Sequence, residues 1–195
     1  MDLQLTDKKA LVTGGSEGIG KAIARVLARE GCDVAICARR PDVLEAAAKE
    51  IAAESGRRIV PIPADLTKDA DARNFIEQAD AALGRIDILV NNAGSAPGGV
   101  IETLTEADWE KGLQLKFLGY VRCLRHALPI MVRQGGGRVV NLIGNDGVKP
   151  SYWEIVPGAA STASRYRSMK SVRRVSADLG SVQSPRRTRD SCSRP

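Results

Sequence analysis

The chain has 195 residues and a mass of 20.8 kDa, room for one domain with a full core but not for two ordinary ones. Hydrophobic residues at 43% and charged residues at 27% are the profile of a soluble globular protein. No apolar run approaches the ~18–20 residues of a membrane helix, and Met1-Asp2-Leu3-Gln4 lacks the basic-then-apolar pattern of a signal peptide, so neither secretion nor membrane spanning is expected.

The four cysteines, Cys32, Cys37, Cys123 and Cys192, show no Cys-x-x-Cys or metal-ligand spacing, which predicts a reduced, cytoplasmic setting. A single histidine, His126, argues against zinc, and no metal site is expected. The net charge of +6 raises the question of nucleic acid. Residues 161–195 carry eight Arg and one Lys against two Asp, a net +7, which leaves the first 160 residues at −1. The basicity belongs to a Ser- and Arg-rich tail with no aromatic platform, so only salt-sensitive, non-specific affinity for nucleic acid is expected of it.

In chain order, short β-branched runs stand at Ala10–Val12, Asp33–Cys37, Ile59–Ile62, Ile86–Val90 and Arg138–Ile143. Helical spacing lies between them, as in Ile23, Val26 and Leu27, then Val43, Leu44, Ala47 and Ile51. Pro41-Asp42 predicts a helix start and Gly56 its end. Thr105-Glu106-Ala107-Asp108 opens a long helix reaching about Gln134, which Pro129 is expected to end or kink near Leu128. A strand–helix alternation of this kind predicts an α/β fold with a doubly wound parallel sheet, helices on both faces. Cys32 and Cys37 flank or occupy the second strand and read as small core residues, and His126 reads as a surface or interface residue of the long helix.

The first strand runs into Thr13-Gly14-Gly15-Ser16-Glu17-Gly18-Ile19-Gly20, and a helix follows at once. Glycines there let backbone N–H groups approach a pyrophosphate, and the helix N-terminus adds partial positive charge and free donors. Gly14, Ser16, Gly18, Ile19 and Gly20 are therefore predicted to face the pyrophosphate. The end of the second strand is Ala38-Arg39-Arg40, with no carboxylate to bind a ribose 2′-hydroxyl. The Arg39 guanidinium can pair with a 2′-phosphate, which favours NADP over NAD. Glu17, in the turn, argues against NADP, and a solvated arginine pair is the alternative reading.

Together with Asn91-Asn92-Ala93-Gly94 at the end of the fourth strand, the glycine turn resembles the short-chain dehydrogenase/reductase family. Asp65-Leu66, Trp109, Gly119, Ala127-Leu128-Pro129 and Met131 match the same family, and the resemblance covers about residues 5–160. It implies a Rossmann-type sheet of strand order 3-2-1-4-5, a nucleotide-binding domain over residues 1–160, and an adenine contact from Asp65. It further implies that Asn91, Ala93 and Gly94 stand by the adenine-side ribose and neighbouring cofactor. The implied activity is hydride transfer between a nicotinamide cofactor and a small-molecule carbonyl or secondary alcohol.

The catalytic positions depart from the family's Asn, Ser, Tyr and Lys. Register puts Lys116 at the asparagine, Gly144 at the serine, and Pro157 and Ser161 at the Tyr-x-x-x-Lys pair. Two replacements are available: Tyr166-Arg167-Ser168-Met169-Lys170, in the tail, and Tyr152 with Lys116 beneath it as a cation that lowers its pKa. A catalytically inactive nucleotide-binding protein and a defective gene product are the competing readings. From residue 161 Arg, Ser and Pro take over, as a reading-frame shift in a GC-rich gene would produce, so residues 161–195 are not expected to be native family sequence. Such a tail would leave the fifth strand an open edge, the C-terminal strands missing and a family-type homo-oligomer impaired; short helical turns over 164–179 are the most structure expected there.

Overall fold

The computed structural model describes residues 3–145, 153 and 155–163. Five parallel strands lie in the order β3-β2-β1-β4-β5, formed by β1 (Lys9–Thr13), β2 (Asp33–Ala38), β3 (Ile59–Pro63), β4 (Ile88–Asn91) and β5 (Arg138–Asn141). The helices are α1 (Gly18–Arg29), α2 (Pro41–Ser55), α3 (Asp69–Leu83), α4 (Glu106–Lys116), α5 (Leu118–Arg133) and α6 (Ile155–Ala163). This is the doubly wound α/β arrangement expected from the strand–helix alternation. No helix among the described residues is long and apolar enough to cross a membrane.

Strand alternation divides the interior into two cores. Ala10, Val12, Val34, Ile36 and Val90 face α1 and α2, with Ala24, Ala28, Leu44 and Ile51 packed on them. Leu11, Ala35, Cys37, Leu89 and Val139 face the other way, onto Phe75, Ile76 and Ala79 of α3 and Cys123, Ala127 and Met131 of α5. Both faces of β1 and β2 are buried, which is why these strands read as unbroken apolar runs. Cys32 and Cys37 are fully buried, as expected. β3 carries Pro61 and Pro63 and is an outer strand among the described residues, where a missing N–H disturbs no second ladder.

Local signals set the helix ends. Gly56 closes α2 at φ +66°, its N–H donating to the Ala52 carbonyl, as the sequence predicts. Thr105 caps α4 in a reciprocal capping box with Asp108. Two details differ from expectation. Val26 is 55% exposed, because the buried stripe of α1 runs through Gly20, Ala24 and Ala28, whose small side chains let the helix lie close to the sheet. The long helix breaks at Phe117 rather than near Leu128, and Pro129 sits inside α5. Pro129 and Arg125, whose carbonyl loses its helical donor, are both exposed, on the solvent face of the helix.

His126 lies on the α3–α5 seam, its Nε2 3.0 Å from Asp69 Oδ1, beside the Arg125–Asp69 ion pair at 2.6 Å. α6 runs from Ile155 to Ala163, so it opens before Pro157 and continues past residue 160. The expected helical turns over 164–179, together with Tyr166 and Lys170, lie outside the described residues.

Candidate active site

The carboxyl ends of β1 and β4 part at the point where the strand order reverses, and a trough opens there. Its outer cavity, about 450 Å³, is bordered by Ser16, Arg39, Asp65 and Leu115 among others. Its inner cavity, about 420 Å³, is bordered by Ile19, Gly20, Asn92, Lys116 and Gly144 among others. Gly14, Glu17, Ala93 and Gly94 border both, so the two are halves of one trough.

The floor between the halves is the glycine turn. Gly14 has φ +68°, a conformation that favours glycine, and a Cβ on it would stand 2.9 Å from Asn92 Nδ2. A Cβ on Gly20 would stand 2.0 Å from the Gly14 carbonyl oxygen, so only glycine lets α1 start this close to β1. Glu17, the N-cap of α1, makes no side-chain capping bond, and Ile19 and Gly20 of the first turn border the inner cavity. Gly18 opens that helix at φ +55° without bordering either cavity.

Two residues that sequence reasoning passed over hold the floor together. The buried Thr13 Oγ1 accepts from the Asn92 N–H at 2.9 Å and the Ala93 N–H at 3.0 Å, and lies 3.4 Å from the Val90 carbonyl. Asn92 Nδ2 in turn donates to the Thr13 and Gly14 carbonyls at 2.9 and 3.3 Å. Both residues stand inside the motifs already quoted, and that was the available signal. The Asn91 side chain is buried, donates to Asn141 Oδ1 at 2.9 Å and borders neither cavity. Asn91 is still within β4, paired with Asn141 of β5, so its side chain belongs to the sheet.

At the outer end Asp65 Oδ1 accepts from the Thr67 N–H at 3.1 Å and the Thr67 hydroxyl at 2.8 Å. Burial pushes the Asp65 carboxyl up, but these bonds, with Lys68 and Arg39 nearby, outweigh it and hold the group below the usual carboxylate range. Arg39 is exposed on the trough wall, and Arg40 is ion-paired with Glu17 across the mouth.

At the inner end Lys116 Nζ donates to the Leu142 carbonyl at 2.9 Å and lies 3.2 Å from the Tyr120 hydroxyl, which itself donates to Leu142 O at 2.8 Å. Burial pushes the Lys116 ammonium below the ordinary lysine value. The Gly144 N–H donates to the buried Ser161 Oγ at 3.0 Å, so Gly144 of the β5 end and Ser161 of α6 do meet beside the trough. Pro157 is on the same helix. Tyr152 lies outside the described residues. Burial raises the thiols of Cys37 and Cys123, the latter to about 12, so neither is a reactive thiolate.

A parallel sheet of this order with a glycine-turn trough at its switch point defines a nucleotide-binding α/β protein. The family model for short chain dehydrogenases matches residues 8–173, and the chain belongs to that family. Among its relatives, Nodulation protein G of Rhizobium sp. (strain N33) is 39% identical over 145 residues, covering 74% of this chain and 58% of the relative. The rhamnolipids biosynthesis 3-oxoacyl-[acyl-carrier-protein] reductase of Pseudomonas aeruginosa is 37% identical over 142 residues, covering 71% of this chain and 55% of the relative. The chain thus spans little more than half the length of these curated relatives. Among solved structures, L-sorbose reductase from Gluconobacter frateurii complexed with NADPH and L-sorbose aligns at TM-score 0.81 and 30% identity, over 84% of this chain and 62% of that one. The alcohol dehydrogenase from the archaeon Thermococcus sibiricus complexed with 5-hydroxy-NADP aligns at 0.77 and 30%, over 81% and 67%.

Proposed function

We propose that the chain holds NADP along the trough and serves hydride transfer with a small-molecule carbonyl or secondary alcohol. The observation that carries this reading is the continuity of the trough, from Arg39 and Asp65 at one end to Lys116 and Gly144 at the other, across a floor that only glycine allows. Gly14, Ser16, Ile19 and Gly20 surround the pyrophosphate position, with Gly18 shaping the turn between them, and Asp65 takes the adenine. Ala93 and Gly94 take the neighbouring ribose. Arg39 takes the 2′-phosphate through charge-assisted hydrogen bonds. A bound reduced nicotinamide supplies a hydride. The NADPH and 5-hydroxy-NADP of the two aligned structures support NADP over NAD.

Tyr152 and Lys116 are the candidate catalytic pair. The nucleotide-binding unit is assigned to residues 1–160, although α6 carries Ser161 to Gly144 and the family match runs on to residue 173. The three cysteines among the described residues, Cys32, Cys37 and Cys123, are free and buried, which supports the reading of a reducing, cytoplasmic setting. A second reading, nucleotide binding without turnover, is favoured by the family's proton-donor positions, where Gly144, Pro157 and Ser161 offer no titratable side chain.

The test is a titration of NADPH and NADH by nicotinamide fluorescence, with turnover on a panel of aldehydes and ketones. NADPH should bind more tightly, and Arg39→Ala should remove most of that preference. A tenfold preference for NADH overturns the NADP assignment. Tight NADPH binding without turnover selects the second reading.

A further inference from the structure

We propose that Lys116 is the proton donor of this site, its Nζ meeting the oxygen of an aldehyde or ketone at the inner end of the trough. The inference rests on the dinucleotide reading above and deepens it. Among the described residues bordering the inner cavity, only Glu17 and Lys116 carry titratable side chains. Glu17 stands at the exposed mouth in its ion pair with Arg40. Lys116 stands at the inner end, on the last turn of α4 just before the break at Phe117.

Its placement is tightly defined. The side chain runs along Gly94, where an added Cβ would come within 2.6 Å of Lys116 Cδ and 3.1 Å of Nζ, so the bare backbone at Gly94 leaves it the space. The Leu142 carbonyl and the Tyr120 hydroxyl hold Nζ, and the Tyr120 ring centroid lies 5.5 Å from it. Tyr120 is fully buried and its hydroxyl is anchored on the same carbonyl, so it is a positioning residue. Burial lowers the pKa of Lys116, which makes the ammonium a better acid near neutral pH. The carbonyl carbon would gain the hydride that a bound reduced nicotinamide supplies as it is oxidised, the C=O π bond would open, and the oxygen would take a proton from Nζ. Lys116, left as an amine, regains a proton from water.

Competitive acetylation of the cofactor-free protein across pH, read by mass spectrometry, tests the group directly. Lys116 should react with a midpoint at lower pH than an ordinary exposed lysine, and Tyr120→Phe should move that midpoint. Lys116→Met should keep NADPH affinity within about twofold while kcat falls by about 10²-fold or more. Lys116→Arg, which keeps the charge but cannot give up the proton, should fall as far. Labelling like a surface lysine overturns the proposal. So does wild-type kcat in Lys116→Met, including the case in which Tyr152→Phe alone abolishes turnover. NADPH binding with no carbonyl reduced by the wild type overturns it while leaving the nucleotide site standing. Absence of NADPH binding instead removes the dinucleotide reading on which it rests.

Discussion

The Glu17 carboxylate is ion-paired with the Arg40 guanidinium across the mouth of the trough, joining the N-cap of α1 to the N-cap of α2. Arg40 is therefore already partnered before any ligand arrives. Arg39, one residue earlier, borders the same cavity beside Asp65. A 2′-phosphate entering there meets one carboxylate competing for Arg40 and a second, Asp65, that attracts Arg39.

This arrangement predicts that Glu17→Gln tightens NADPH binding by about two- to fivefold, the range expected for release of an exposed ion pair. NADH, which has no 2′-phosphate, should change less. Fluorescence titration of both cofactors at low salt checks it. Weaker NADPH binding in the variant would mean that Glu17 holds Arg40 in its useful position.

The floor of the trough predicts the effect of Gly20→Ala. The new Cβ meets the Gly14 carbonyl oxygen and Asn92 Nδ2, at 2.0 and 2.5 Å, and the backbone has to move. Overpacking of this kind costs about 1–3 kcal/mol of stability, and NADPH affinity should fall with it. Gly18→Ala provides the contrast, because beyond its own chain neighbours and helix backbone nothing described lies within 4 Å of its Cβ position, and the φ of +55° is what resists the change. Urea denaturation with parallel NADPH titration measures both.

Thr13→Val keeps the shape of the side chain and removes its oxygen. The Asn92 and Ala93 N–H groups then lose their common acceptor in a water-poor site. The expected loss is about 2–3 kcal/mol, seen as a lower denaturation midpoint with unchanged slope, and Thr13→Ser should recover most of it. A Thr13→Val variant as stable as the wild type would show that the β1–β4 junction is held by packing alone.

Asp33 sets a pH dependence at the opposite end of the sheet. Lys9 Nζ lies 2.6 Å from its carboxylate and an Arg57 guanidinium nitrogen 3.1 Å, and the Arg58 N–H donates to it at 3.2 Å. Burial pushes this carboxyl up, but Lys9, the Arg58 N–H and Arg57 together hold it below its ordinary value. A carboxyl depressed in the folded state stabilises fully above its unfolded pKa of about 4 and loses that contribution as pH falls through the folded value. The stability gap between wild type and Asp33→Asn should therefore be constant above about pH 4 and shrink below it. Denaturation midpoints measured from pH 2 to 7 check the sign, and a gap independent of pH would contradict it.

Much of this protein was determined by local sequence. The alternation of β-branched runs and helical spacing, the Gly14–Gly20 turn after the first strand, Gly56 as a helix stop and Thr105 as a cap each act within a few residues, and each appears in the fold where its spacing puts it. Tertiary structure decided what depends on where one element ends against another. Asn91 is still in the sheet and Asn92 is beyond it, so the second asparagine, and not the first, reaches the trough. Pro129 is tolerated within α5 because its side of the helix faces water, and the chain breaks instead at Phe117. Glu17 meets Arg40, and Lys116 meets Tyr120 and Leu142, through packing that no sequence interval encodes. Backbone preferences are written residue by residue, whereas the partners of a buried or bridging polar group are chosen by whichever elements the cores bring beside it.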